Sequence, residues 1–497
     1  MQRIGTMIFS RKAMLLAATF VVSSAGMTLA EGTVSANGVT IANKGLVAIG
    51  RIPANARDKF KETFGSGSGM AMDLTQWKKQ GESYSGSLWL LPDRGYNVEG
   101  TTDYNTRINR IDFTLAPTPA GTTAPADQQQ KGVDAKLADT ILLTDGEGKS
   151  LTGLDPESGI RAATKTLPAL PQATTGKISL DPEAVVLLKD GSMMISDEYG
   201  PYIYHFSAAG KLLSATQPPK ALLPMRKGEL NFSSNNVGEG GKKPDPKDPD
   251  SGRQNNQGLE GMSLTPDGKF LIALLQSATR QDGGDSSSTR MNTRALVYDA
   301  ADMDHLKLVH EYVVPLPTFD NKGKVAVAAQ SEILALSDKT FLMLARDSNN
   351  GQSMKGDTSV YRKIDLVDLS AATDIANGEF DDAKPVAPKG VVDASVKVAA
   401  VTPFIDMNDD KDLARFGLHN GAPNDKNNLS EKWEAMSVAP ALDPSAPDDY
   451  FLFVANDNDF LTQDGYQVGA AYKAEGGAEV DTMFQVFRVT LPGMTAK

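Results

Sequence analysis

The chain has 497 residues, about three times the ~150 residues of a typical domain, so it allows several domains or one large repeat fold. Its 45 glycines and 27 prolines favour many turns over long helices. It has no cysteine, which excludes disulfides, thiolate metal sites and cysteine nucleophiles. The formal charge of −12 opposes contact with phosphate backbones, so nucleic acid is not an expected partner.

Residues 1–30 have the pattern of a signal peptide. Arg3, Arg11 and Lys12 form a basic start, an apolar run follows over Ala13–Val22, and small residues precede Glu31. The apolar run is too short to cross a bilayer, although a membrane anchor or a buried helix is the alternative interpretation. We therefore expect export by the general secretory route to a periplasm or to the exterior, with no transmembrane segment in the mature chain.

The remainder, residues 31–497, is predicted to be one all-β domain. Short runs rich in valine, isoleucine, leucine and phenylalanine alternate with Asp-Gly, Asn-Gly and proline-rich turns, as expected for hairpins. Four long polar segments are predicted to be surface loops rather than linkers between domains. They span residues 116–133, 233–257, 281–289 and 407–430.

One hairpin pattern recurs along the chain. Glu183 opens an apolar strand, a turn follows at Asp190, and Asp197 closes the return strand at the same distance from the turn. Equal arms bring the start of the first strand beside the end of the second. Further copies begin at Glu260, Glu332 and Glu434, and a divergent copy without the leading acid begins at Gly69.

This repetition predicts a β-propeller, in which four-stranded blades surround an axis and equivalent strand ends meet on one face. From the length per repeat we expect six blades, and seven are possible. Strands near residues 40–52 and 483–491 are expected to share one blade and close the ring. A pair of β-sandwiches is the rival fold, but it does not explain the repeated spacing of acidic residues and turns.

A propeller would gather the acidic strand ends on one face. Like charges at close range need compensation, and a hard cation with oxygen ligands such as calcium provides it. The alternative is that the acids form ion pairs with Arg94 and Arg346 and only fix the register of the blades. These two arginines could also bind an anionic substrate through paired hydrogen bonds. The candidate metal ligands are Glu183, Asp197, Glu198, Glu260, Glu332, Asp347, Glu434 and Asp457.

A family resemblance rests on the motifs Leu88–Gly95, Leu180–Tyr199, Gly258–Gln276, Glu332–Asp347, Val360–Ile375 and Lys432–Met436 with Phe451–Asn458. Together these motifs resemble the phytase-like domain of proteins described as "esterase-like activity of phytase". The resemblance extends from about Gly45 to Thr490, and it implies an exported propeller with hydrolytic activity on phosphoesters. The propeller phytases of this kind use several calcium ions.

The chain departs from the Glu-Gly pattern of that domain at three strands. Alanine or isoleucine follows Glu183, Glu332 and Glu434, and the acid is missing at Gly69. The missing acid leaves the number of metal ions open.

The first hypothesis is therefore a calcium-dependent phosphoester hydrolase, a monomer acting on a small anionic substrate. Glu260 would be a ligand or base, Arg94 and Arg346 would stabilise charge on the phosphoryl group, and Tyr199 is a further substrate-binding candidate. The second is a non-catalytic binding propeller with structural calcium, and the third is a metal-dependent lactonase or carboxylesterase.

Overall fold

The computed structural model describes residues 32–95, 102–238, 240–349, 351–352, 355–382 and 384–494. The signal peptide lies outside these residues and stays a prediction. The described part of the chain is mostly β-structure, and its one α-helix is the short segment Asp410–Ala414. In this part of the chain, no helix is long and apolar enough to cross a bilayer. Single 3-10 turns occur at Lys220–Leu222, Arg280–Asp282, Glu379–Asp381, Pro388–Gly390 and Glu475–Gly477.

Most strands belong to four-stranded antiparallel sheets in which each strand pairs with the next along the chain. Two strands precede the first sheet, β1 (Thr33–Ala36) and β2 (Val39–Ile52). The first sheet contains β3 (Gly69–Gln80), β4 (Ser83–Leu91), β5 (Arg107–Leu115) and β6 (Val133–Leu142). A small hairpin follows, formed by β7 (Ile160–Arg161) and β8 (Leu170–Pro171).

Three further sheets repeat this order, with small hairpins between them. The second sheet contains β9 (Pro182–Leu187), β10 (Met193–Asp197), β11 (Ile203–Phe206) and β12 (Leu212–Thr216), and the hairpin β13 (Met225–Arg226) and β14 (Glu229–Leu230) follows it. The third contains β15 (Leu259–Leu264), β16 (Phe270–Leu275), β17 (Asn292–Asp299) and β18 (Lys307–Pro315), followed by β19 (Thr318–Asn321) and β20 (Lys324–Val327). The fourth contains β21 (Ala329–Ala335), β22 (Thr340–Arg346), β23 (Arg362–Asp368) and β24 (Ala400–Asp406).

The last sheet joins both ends of the described chain. It contains β25 (Trp433–Pro440), β26 (Asp449–Asn456), β29 (Thr482–Thr490) and β2, while β27 (Gly465–Gln467) and β28 (Ala470–Tyr472) form a separate hairpin. The antiparallel pairing of β2 with β29 confirms the predicted pairing of the terminal strands. A single parallel bridge between Gly50 and Val133 connects this sheet to the first.

The first strands of the five sheets contact one another in closed order: β3 with β9, β9 with β15, β15 with β21, β21 with β25, and β25 with β3. The described residues therefore contain five groups of four strands rather than the six expected, namely three separate four-stranded sheets and two groups that the single bridge between β2 and β6 joins. The additional length lies in long connections such as residues 143–181 and 217–258 rather than in a sixth sheet.

Burial on both faces explains why the inner strands have no polar alternation. The β16 sequence FLIALL has five fully buried residues of six, and β10 is buried throughout. The hydrophobic clusters lie between neighbouring sheets: one contains Trp77 and Phe453 from the first and last sheets, and another contains Ile272 and Phe341 from the third and fourth. The sheets therefore pack face to face around the ring, and their inner strand ends are held in fixed positions.

Candidate functional site

The candidate site lies where inner strands begin and their neighbours end. Glu183, Glu260 and Glu434 are each the second residue of the first strand in their sheet. The antiparallel register brings the end of the next strand beside them: Asp197 pairs with Pro182, and Leu275 with Leu259. The hairpin geometry that the sequence predicted is present at these sheets.

The side chains at these ends surround a cavity of about 510 Å³. Of the predicted site residues, six line it together, namely Arg94, Glu183, Glu198, Glu260, Arg346 and Glu434. The rest of the lining is Asp93, Asp181, Asn256, Gln276, Glu431, Lys432, Asp459, Leu461 and Glu475.

Three buried carboxylates form the densest acidic cluster in this cavity. Asp181, Glu183 and Glu198 each offer an oxygen atom, and these oxygens all lie within 4.8 Å of one another. Glu198 Oε1, directly after β10, and Glu260 Oε2 on β15 are buried without a hydrogen-bond partner among the described residues. The cluster can hold a metal ion, since its oxygens are close together and partly unsatisfied.

Burial and mutual repulsion make the charged state of these acids costly. Burial raises the pKa of Glu183 well above its usual range, and the neighbouring Glu260 and Glu198 raise it further. Burial also raises the pKa of Glu198 to about 8, with Asp181 adding to the rise and Arg94 opposing it. The pKa of Glu260 is raised by burial and by Glu198 and Glu434. The cluster therefore favours either protons or a bound cation.

A second acidic group already has its cation. Asp93, Asp457 and Asp459 also bring oxygens within 4.8 Å of one another. The Lys432 ammonium lies 2.8 Å from both Asp457 Oδ2 and Asp459 Oδ1, and 3.6 Å from Asp93 Oδ2. Asp457, a predicted metal ligand, thus belongs to a lysine-centred ion cluster.

The two predicted arginines are held by acids of the cavity. Arg94 Nη1 lies 3.2 Å from Asp181 Oδ2 and also donates to Asn256 Oδ1. Arg346 Nη2 donates to Glu434 Oε1. In both arginines the Nε atom is buried without a hydrogen-bond partner. The pairing fixes both guanidinium groups at the wall of the cavity.

Four predicted metal ligands do not line this cavity. One is Asp457, which pairs with Lys432, and the other three accept hydrogen bonds from backbone N–H groups. Asp197 accepts from the backbone N–H groups of Asp181, Tyr199 and Gly200, at 2.9 to 3.0 Å. Glu332 Oε1 accepts from Met262 N at 3.1 Å and from its neighbour Ile333 at 2.9 Å.

Asp347 is the third of these. Its Oδ2 accepts from Val360 N at 2.6 Å and Tyr361 N at 2.9 Å. Tyr199, predicted to bind substrate, is also outside the cavity lining, since its buried hydroxyl donates to the carbonyl of Gly153 at 2.7 Å. These four residues therefore lie outside the cavity that the other predicted site residues line.

The sequence analysis missed Asp181 and Lys432, although a simple signal was present. Alternate residues of an extended segment point to the same side, so Asp181 shares a side with Glu183, and Lys432 with Glu434. The sequence analysis also made no prediction for Asp93, which lines the cavity and directly precedes the predicted Arg94. The other missed residues lie on connections whose course depends on tertiary packing.

A serine–histidine–aspartate contact lies elsewhere, at the turn between β9 and β10. His205 Nδ1 is 2.8 Å from Asp304 Oδ1, and His205 Nε2 is 3.0 Å from Ser192 Oγ. However, Ser192 Oγ also donates to Asp190 Oδ1 at 2.6 Å, and a carboxylate is a stronger acceptor than a neutral imidazole. We therefore interpret this cluster as a support of the turn.

One known protein is similar in sequence to most of the chain, and solved structures resemble it only distantly. A protein of Arthroderma benhamiae named "Uncharacterized secreted protein" is 39% identical over 452 residues, which cover 85% of this chain and 88% of that protein. Among solved structures, a luciferin-regenerating enzyme is 10% identical with a TM-score of 0.27, covering 90% of this chain and 96% of its own. A gluconolactonase from Xanthomonas campestris is 9% identical with a TM-score of 0.26, covering 92% and 91%. Structural similarity at this level carries no argument about function.

The family comparison covers most of the chain. Residues 62–460 match the phytase-like family described as "Esterase-like activity of phytase". This range includes every predicted site residue, from Arg94 to Asp457. The resemblance predicted from the hairpin motifs is confirmed, and the chain belongs to the phytase-like family.

Proposed function

We propose that this protein is an exported, calcium-dependent phosphoester hydrolase and that its ring of five sheets is a β-propeller with the active site at the acidic cavity. One observation carries the proposal. Asp181, Glu183, Glu198 and Glu260 are buried around one cavity, and oxygens of Glu198 and Glu260 have no hydrogen-bond partner.

The charge balance of the cavity favours a bound cation. Nine carboxylate side chains but only three cationic side chains line it. Without further positive charge, the cavity would repel a phosphoester, which is an anion. The volume of about 510 Å³ is within the range of small-molecule sites.

The available ligand atoms suit calcium. The acidic cluster supplies carboxylate oxygens, Asn256 and Gln276 supply amide groups, and the lining contains no histidine. We assign Asp181, Glu183 and Glu198 as the residues that would hold the ion. A calcium ion there would supply positive charge for phosphoryl oxygens and lower the pKa of a coordinated water molecule.

The protein's own side chains have separate roles in this proposal. Arg94 and Arg346, which are fixed at the cavity wall by Asp181 and Glu434, stabilise the charge that develops on the phosphoryl oxygens. Glu260, whose Oε2 has no partner, accepts the proton of the attacking water as general base.

The test is phosphate release from inositol hexakisphosphate and from an aryl phosphate by Glu31–Lys497, in calcium and in excess chelator. We expect calcium-dependent release that is lost in Glu260→Gln. Glu332→Gln is the matched control, because Glu332 occupies the equivalent strand but does not line the cavity; it should keep the activity.

Three results would each overturn a part of the assignment. Full activity in Glu260→Gln would exclude that residue as the base. Chelator-sensitive hydrolysis of lactones or carboxylesters without phosphate release would identify the alternative esterase. Raised thermal stability in calcium without any turnover would identify a binding propeller.

Export is supported by the basic and apolar start of the sequence and by the name of the Arthroderma benhamiae relative. The corresponding test is N-terminal sequencing of the exported protein, which should begin at Glu31. A retained start at Met1 would contradict cleavage.

A further inference from the structure

Arg362, the first residue of β23, carries a buried positive charge without a partner. Its relative exposure is 0%, and none of its three guanidinium nitrogens has a hydrogen-bond acceptor among the described residues. Burial lowers the pKa of Arg362 to about 10, so the group stays charged at neutral pH. An unpaired buried charge is strongly destabilising, and native proteins normally compensate it.

The charges around Arg362 do not provide that compensation. Among the carboxylates, Asp347 has the largest electrostatic effect on the pKa of Arg362. However, the Asp347 oxygens already accept hydrogen bonds from backbone N–H groups and from the side chains of Asn349 and Ser359. Glu431 also raises the pKa of Arg362, but its Oε1 lies 4.0 Å from Nη1 of the other arginine, Arg346. Neither carboxylate is within ion-pair distance of Arg362 in the described structure.

A second arginine increases the positive potential at this place. Arg346 on β22 is the direct register partner of Arg362 on β23, so the two side chains leave the sheet on the same side. Arg346 lowers the pKa of Arg362 by repulsion, and its own Nε is also buried without a partner. Four buried guanidinium nitrogens on adjacent strands therefore have donor hydrogens and no acceptor.

We infer that Arg362, together with the Nε–H of Arg346, binds a small inorganic anion of halide size on the buried face of the fourth sheet from which both side chains project. Complete burial excludes a phosphoester there, and Arg362 does not line the acidic cavity. This site is thus separate from the proposed active site. The bound anion balances Arg362 and leaves Arg346 free to remain with Glu434 at the cavity wall.

The test compares thermal stability in sodium chloride and in sodium gluconate at equal ionic strength, with calcium gluconate constant. We expect chloride to raise the melting temperature of the wild-type protein saturably, by about 2–4 °C. Arg362→Met should abolish the chloride effect, and in gluconate it should be at least as stable as the wild type, because the unpaired charge is gone. Arg161→Met, which removes a partly exposed arginine paired with Asp145, should keep the chloride effect.

A crystal of the wild-type protein soaked in bromide provides a second test that does not depend on a variant folding. We expect an anomalous peak within hydrogen-bond distance of the Arg362 guanidinium. Equal melting temperatures in both salts, or crystals without that peak, would overturn the inference. Both readouts are independent of phosphate release, so they do not depend on the proposed hydrolase activity.

Discussion

Replacement of Lys432 by methionine should strongly destabilise the protein. The ammonium group contacts Asp457 and Asp459 at 2.8 Å, and it lies 3.4 Å from Glu434 Oε2. Asp457 is fully buried, and the Lys432 side chain is only 20% exposed. Removal of one partner from such a cluster leaves uncompensated buried charge, which costs about 3–5 kcal/mol.

The assay is urea unfolding of wild type, Lys432→Met and Lys432→Arg in excess chelator at pH 7. We expect the free energy of unfolding to fall by about 3–5 kcal/mol in Lys432→Met and by clearly less in Lys432→Arg, which keeps the charge. Without the ammonium group, the three aspartates offer carboxylate oxygens that lie within 4.8 Å of one another and have lost their cation. Calcium could take its place, so calcium should stabilise Lys432→Met more than the wild type. An unchanged unfolding free energy in Lys432→Met would refute the role of Lys432 as the internal cation of this cluster.

The remaining predictions concern pH, packing and substrate binding. In chelator, the free energy of unfolding should fall as the pH rises toward 9. The folded-state pKa of Glu198, about 8, lies above that of an unfolded glutamate, so the folded state binds more protons and loses this advantage as they dissociate. Glu198→Gln should flatten the pH profile measured by urea unfolding, and an unchanged slope would contradict this. Gly69→Ala should lower the melting temperature, since the added Cβ would lie 2.4 Å from the carbonyl oxygen of Glu183. Gly146→Ala is the control and should leave the melting temperature unchanged, because its Cβ would meet open space. Equal melting temperatures of the two variants would show that β3 and β9 can move apart to accept the methyl group. Arg94→Gln should lower kcat/KM for the aryl phosphate by tenfold or more, and an unchanged value would exclude contact with the phosphoryl group.

The strand pairing at the site could be predicted because it depends on local patterns. The equal arms around Asp190 place Glu183 beside the end of the return strand, and apolar runs identify strands that are buried on both faces. The same reasoning did not predict the number of sheets, because it depended on an assumed repeat length. The long connections contribute surface loops and small hairpins whose extent has no repeat signal.

The orientation of individual acids could not be predicted from their sequence position. Glu332 and Glu434 both open a copy of the repeated sequence pattern, but Glu332 is the fourth residue of β21 and Glu434 the second of β25, and only Glu434 lines the cavity. Glu332 accepts from the backbone of Met262, and Gly261 permits this approach, since a Cβ there would lie 2.7 Å from Ile333 N. Such contacts depend on the distance between sheets, which no local pattern encodes.

The most direct test of the central claim is a calorimetric titration of calcium into chelator-treated Glu31–Lys497. The account predicts saturable binding that is lost in Glu198→Gln and kept in Glu332→Gln, since only Glu198 belongs to the buried acidic cluster. Absence of binding, or binding unchanged by Glu198→Gln, would contradict the assignment of this cluster as the metal centre of the hydrolase.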